Sequence, residues 1–110
     1  MIASSTEKIK SARTLAFEAL YEIFEKNAYA NLTIQRILRR IPLKKEERHL
    51  LTELIYGVCR KYNYCLWLIN LISDRPMSKI HPVVRILLLL GIYQIVFWIV
   101  FRILQQSTKR

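Results

Sequence analysis

Sixteen consecutive residues, Ile86 to Phe101, carry no charge, and Arg85 and Arg102 bracket them. Such a run must be buried somewhere. Spanning a bilayer takes about 20 apolar residues, with a lower limit near 17. This run falls just short and contains Gly91, Tyr93 and Gln94. A helix enclosed by other helices accounts for it equally well, and the upstream amphipathic segments need something to pack on. The run is therefore read as a core helix that begins at Pro82, a favourable first-turn residue, and reaches at least Val100. The competing possibility is a small membrane-associated protein anchored by residues 86–101. Solubility without detergent separates the two.

The rest of the chain reads as four shorter helices. Helix one runs from about Ile9 to Lys26, with Ile9, Ala12, Ala16, Ala19, Leu20 and Ile23 as its buried stripe. Phe17, Tyr21 and Phe24 widen that stripe, so the helix packs on two sides, while Glu18, Glu22 and Glu25 are solvated. Asn27 ends it, because Asn tolerates the left-handed cap conformation. Helix two runs from Asn31, taken as its N-cap, to Arg40. Ile34, Ile37, Leu38 and Ile41 point inward, Arg36, Arg39 and Arg40 outward, and Pro42 stops the helix. Helix three spans Lys44 or Lys45 to about Tyr62, with Glu46 and Glu47 in the first turn and Arg60 and Lys61 in the last, both suited to the helix dipole. A fourth helix carries Leu66, Trp67, Ile69, Asn70 and Ile72 and stops before Pro76; both tryptophans, Trp67 and Trp98, are expected in the core or at an interface. No stretch alternates with period 2, so the expected class is all-α, with residues 1–8 a polar lead, 9–104 one helical domain and 105–110 a polar tail.

Charge narrows the function. Eighteen Lys and Arg stand against eight Asp and Glu, a formal net charge of +10, which points to a polyanionic partner, nucleic acid or an anionic surface. Cys59 and Cys65 form no CxxC pair and have no His cluster nearby, so neither a metal site nor a cofactor is expected. Ser4, Ser5 and Ser11 lack acid–base partners, and His49 and His81 pair with no carboxylate at a telling spacing. Catalysis by this chain is not expected.

Helix three carries the most specific pattern. Leu51, Leu54, Ile55, Val58 and Tyr62 form one apolar stripe, and Gly57 sits inside the helix, where it costs about 1 kcal/mol relative to alanine. Close packing of another backbone is the expected compensation. The segment Glu53-Leu54-Ile55-Tyr56-Gly57-Val58-Cys59-Arg60-Lys61 resembles the third helix of the NusB-like domain. Further blocks match in order: Ser11 to Tyr21 resembles the family's first helix, and Asn27-Ala28-Tyr29-Ala30-Asn31-Leu32 the loop after it. Asp74-Arg75-Pro76 and His81 through Gln94 resemble its fourth connection and fifth helix. The resemblance covers roughly residues 9 to 97. It implies a NusB-like bundle of about five helices. The Ala-Tyr-Ala-Asn-Leu loop favours the N-terminal module of the ribosomal RNA 5-methylcytosine methyltransferases over the antitermination factor itself.

Three departures from the family pattern matter. The family's closing C-terminal helix, its linker and its cofactor-binding domain have no counterpart here. Exposed apolar surface is therefore expected on helix five, where a protein partner or a second copy would dock through residues 86–104. His81 stands where the family typically places Asp, a stronger helix cap. The start of helix one carries only Lys8, Lys10 and Arg13, where the antitermination factor is arginine-rich.

By resemblance, Lys8, Lys10 and Arg13 form an RNA-facing region. Arg60, Lys61 and Tyr62, with Tyr64 adjacent, are added on physical grounds, since cations for phosphate beside rings for unpaired bases suit RNA. Arg36, Arg39 and Arg40, like Lys44, Lys45 and Arg48, read as solvated faces. Arg85 is expected to lay its stem on apolar surface with its head in water. The resulting expectation is a non-catalytic, cytoplasmic module that binds RNA, ribosomal RNA first among candidates, beside a methyltransferase catalytic part. The alternative within the family is an antitermination factor that recognises a short RNA element together with a small-subunit ribosomal protein.

Overall fold

A computed structural model describes residues 11–108. It contains five α-helices and one short 3-10 turn: α1 (Ala12–Glu25), α2 (Ala30–Arg40), α3 (Lys45–Arg60), α4 (Tyr62–Ile72), the turn Met77–Lys79, and α5 (Pro82–Thr108). No strand occurs among the described residues, and the all-α expectation stands.

Helix α1 is the hub. It packs on α2, α3 and α5, and the small side chains of Ala12, Ala16 and Ala19, all buried, let its neighbours approach. Leu15 and Leu20 fill the space between them and are buried as well. Leu15 falls outside the expected stripe, because a helix that packs on two sides buries more than one line of residues. Ser11 caps α1, its Oγ accepting from the Thr14 amide at 3.2 Å. At the other end Asn27 adopts φ 58°, and the Ala28 N–H reaches back to the Glu22 carbonyl at 3.1 Å. The expected left-handed stop is there.

Three boundaries differ from expectation. Helix α1 begins at Ala12 after an extended Ser11, not at about Ile9, which lies outside the described residues. Helix α2 begins at Ala30 with Tyr29 as an extended N-cap and no side-chain cap, so Asn31 lies inside the helix. Helix α3 ends at Arg60, and Lys61, with φ −103° and ψ 20°, is a one-residue joint to α4. Tyr62 therefore opens α4 instead of closing α3.

The core joins Leu51, Leu54, Ile55 and Val58 of α3, Cys65 and Ile69 of α4, and Ile86, Leu89, Leu90 and Tyr93 of α5. Burial raises the pKa of the Cys59 and Cys65 thiols, which disfavours the reactive thiolate. The expectation for Arg85 needs correction. Its guanidinium does not sit in water: Nη2 donates to both Glu25 carboxylate oxygens at 3.1 Å, and Nη1 to the Met77 carbonyl at 3.2 Å. The pair ties α5, the 3-10 turn and α1 together where all three are half-buried.

Helix α5 is not enclosed on all sides, which corrects the expectation of a fully buried core helix and agrees with the expected exposed apolar surface on helix five. Its 27 residues make a rod roughly 40 Å long, while α1, with 14, measures about 21 Å and α3, with 16, about 24 Å. The bundle is too short to cover α5. Ile86, Leu89, Leu90 and Tyr93 form one buried stripe, with Val83, Val84 and Leu87 exposed beside it; from Ile95 onward every large apolar side chain except the half-buried Val96 is exposed. Helix α5 continues through Gln105 and Gln106, residues read as a tail, to Thr108. Pro82–Gln106 is long and apolar enough to cross a membrane by length and composition, yet one stripe of its first half, Ile86, Leu89, Leu90 and Tyr93, belongs to the bundle core. The overhang also shows in the radius of gyration, 15.4 Å, against about 13 Å for a compact chain of this length.

Candidate nucleic-acid interface

Two of the expected site residues, Lys8 and Lys10, lie outside the described residues. The other four divide. Arg13 is exposed on α1, and its Nε donates to Gln94 Oε1 at 2.6 Å. The Gln94 amide is oriented in turn, Nε2 donating to the Leu90 carbonyl at 3.2 Å. Arg13 is therefore anchored through one nitrogen to the middle of α5.

Arg60 and Lys61 are exposed at the joint between α3 and α4. Lys61 shares a groove of about 400 Å³ with Tyr64, Cys65, Tyr93, Val96 and Phe97. Arg60 is close enough to Tyr93 to act on its hydroxyl electrostatically. Tyr93 and Gln94 are consecutive. Cations from two distant parts of the chain thus flank the same turn of α5, where that helix leaves the bundle. The sequence shows the two groups only as separate helix ends.

Tyr62 is less open than expected. It is half-buried and stacks on Phe24, with ring centroids 4.7 Å apart and planes at 19°, so one ring face is already taken. Tyr64, 49% exposed, stacks instead on the exposed Trp67 at 6.1 Å and 26°. These two rings, with Phe97 of the same groove, are aromatic surface open to solvent near Lys61. Trp67 and Trp98 are not core residues: they are 56% and 58% exposed. The stack is hidden in the sequence because its members sit three apart on α4, a spacing that reads as an apolar stripe.

The remaining arginines behave mostly as expected. Arg39 and Arg40 are exposed, while Arg36 pairs with Glu22 at 2.7 Å across α1 and α2. His81 does cap α5: its Nδ1 accepts from the Val83 amide at 3.2 Å.

The turn at Gly57 fixes the site's floor. The side chain filling the space beside Gly57 is the Tyr93 ring, not a neighbouring backbone, and any Cβ at position 57 would overlap the Tyr93 hydroxyl. That hydroxyl donates to Glu53 Oε2 at 2.8 Å. Burial, and then the bond to Glu53, push the Tyr93 pKa up to about 12. Gly57 is what lets α5 lock onto α3 at the root of the exposed arm.

Compared with known proteins, residues 10–101 match the model of the NusB family. The chain belongs to the NusB family. It is 40% identical over 85 residues to the "Probable ribosomal RNA small subunit methyltransferase B" of Synechocystis sp., which covers 77% of this chain and 19% of that protein. The protein of the same name from Bacillus subtilis is 33% identical over 87 residues, 79% of this chain and 19% of its own. The "Ribosomal RNA small subunit methyltransferase B" of Cronobacter sakazakii is 29% identical over 91 residues, 83% of this chain and 21% of its own. The chain thus corresponds to the NusB-like N-terminal module and spans about a fifth of the length of these relatives. No solved structure matches.

Proposed function

We propose that this domain binds RNA, ribosomal RNA in the first instance, as the non-catalytic cytoplasmic module of a cytosine-5 methyltransferase system. The observation that carries the reading is the convergence of Arg13, Arg60 and Lys61 on one turn of α5. It occurs on a chain of net charge +10 whose relatives are named as methyltransferases of small-subunit ribosomal RNA. The cations hold phosphates, each neutralised phosphate releasing condensed counterions. Tyr64 and Trp67 offer ring faces to an unpaired base. Because Arg13 is braced by Gln94, and Arg60 and Lys61 sit on helix ends, the charges are presented on a rigid frame. Positioning of RNA is the whole contribution; chemistry falls to a separate catalytic part.

The test is binding of the chain to a small-subunit ribosomal RNA fragment over a salt series, beside the triple variant Arg13→Ala, Arg60→Ala, Lys61→Ala and the single variant Tyr64→Ala. Removing one cation from a phosphate should flatten the log–log salt slope by about 0.7 to 1, so the triple variant's slope should be shallower by roughly 2 to 3. Tyr64→Ala should weaken binding by about 1–3 kcal/mol and leave the slope unchanged. Equal slopes for wild type and triple variant, or no binding by either, defeats the reading.

A further inference from the structure

We infer that the exposed half of α5 is a dimerisation arm whose occupant is a second copy of this chain. Between Ile95 and Ile103, seven large apolar residues are 45–59% exposed on every side of the helix. A helix apolar all round is one that gets buried. Half-exposed side chains of this size present on the order of 100 Å² each. Together they offer roughly 700 Å² around the whole helix, so the ~800 Å² per partner of a stable interface is reached only where the rod is enclosed from more than one side.

Charge selects among occupants. From Ile86 to Phe101 the helix carries none, and Arg102 folds over the Trp98 ring, 4.9 Å from its centroid. A polyanion finds no row of cations along the arm. A bilayer fits poorly too. The arm beyond Tyr93 is too short to span about 30 Å of hydrocarbon, and its tip would carry Arg102 and Gln106 into the lipid at high cost. Inserting all of Pro82–Gln106 would pull Ile86, Leu89 and Tyr93 out of the core. Lying flat on the headgroups requires a polar face, which the arm lacks.

A second copy meets each requirement. The molecule carries an uncharged apolar rod and, at the rod's root, a largely apolar groove between α4 and α5 that includes Lys61, Tyr64, Val96, Phe97 and Val100, so a seated rod and RNA held at Lys61 and Tyr64 exclude one another. A two-fold axis seats each rod in the other copy's groove, making both contacts at once and closing the assembly. Along the rod, Ile95, Ile99 and Ile103 form one ridge and Phe97 and Phe101 the next, their rings stacked at 6.4 Å. Ridges of this i, i+4 type interdigitate when like helices cross.

The experiment is the molar mass of the chain by sedimentation equilibrium across a concentration series, for wild type and for the double variant Phe101→Glu, Ile103→Glu. Both substitutions lie beyond the bundle, so helix content and thermal midpoint at low concentration check that it still folds. Wild type should reach twice 13.1 kDa, and the folded variant should stay at the single-chain mass. Wild type that remains monomeric, a dimer that survives the substitutions, or an open-ended series of larger species overturns the inference. So does a wild-type monomer that floats with neutral phosphatidylcholine vesicles.

Discussion

Gly57, Tyr93 and Glu53 form a close-fitting arrangement at the scale of single residues. A glycine inside a helix is visible in the sequence as an anomaly, but its cause is not, because Tyr93 lies far along the chain and looks like any apolar residue of α5. The arrangement predicts a reversal of sign. Gly57→Ala should destabilise by about 1–3 kcal/mol, since the new methyl must displace a buried, hydrogen-bonded ring. In a Tyr93→Leu background the same change should stabilise by up to about 1 kcal/mol, the helix propensity gain alone. Denaturant midpoints of the four proteins in this cycle check it; destabilisation of equal size in both backgrounds would show that the ring is not the obstacle. The same residue gives a pH signature. The Tyr93 pKa lies near 12 in the folded chain and at 10.0 when unperturbed. The folded state thus holds its proton more firmly, and the contribution is complete below pH 10 and is lost as pH rises toward 12. Stability should fall over that window in wild type, and less steeply in Tyr93→Phe.

At the scale of elements, the stripes are legible in the sequence and the ends only partly. Ala16, Ala19, Leu54 and Ile55 fall where helical periodicity places them, because burial of one face decides helix formation. Asn31 fails as a cap because the chain enters α2 two residues earlier, with Tyr29 in the cap position, and Tyr62 changes helix because a single joint at Lys61 cannot be read from periodicity. His81 is a usable cap through Nδ1, but a weak type of residue for the task. His81→Asp should raise stability by about 0.5–1 kcal/mol, combining a better cap with a negative charge at a helix N-terminus. A lower thermal midpoint would mean that the imidazole has packing that the hydrogen bond does not reveal. Arg85 argues the opposite case. Arg85→Met keeps much of the stem but leaves the Glu25 carboxylate half-buried without its partner. We expect a loss of about 1–3 kcal/mol, with part restored by adding Glu25→Gln. An Arg85→Met protein as stable as wild type would show that the pair is merely tolerated.

For the whole molecule, the deciding quantity is length. A core helix and an exposed apolar helix are both expected of the same residues, and both are present, end to end, because α5 is nearly twice as long as the helices it packs against. Composition alone cannot divide it, since the run from Ile86 to Phe101 is uniformly uncharged; only the three-dimensional reach of α1 and α3 sets the point of exit. The candidate site is legible to the same degree. Its cations can be named from the sequence, but their meeting at Tyr93 and Gln94, and the pairing of Tyr62 with Phe24, depend on packing between distant segments. The division of α5 has a dynamic consequence. Amides from Ile86 to Tyr93 belong to the cooperative core and should exchange with solvent deuterium only on global unfolding, whereas those from Phe97 onward lie on the exposed arm and should exchange through local opening. Measured at a concentration low enough to keep the chain single, protection should therefore drop steeply within about one turn of Gln94. Protection that stays uniform to Gln106 under those conditions would mean that the arm is part of the folding unit after all, and the length argument would fail with it.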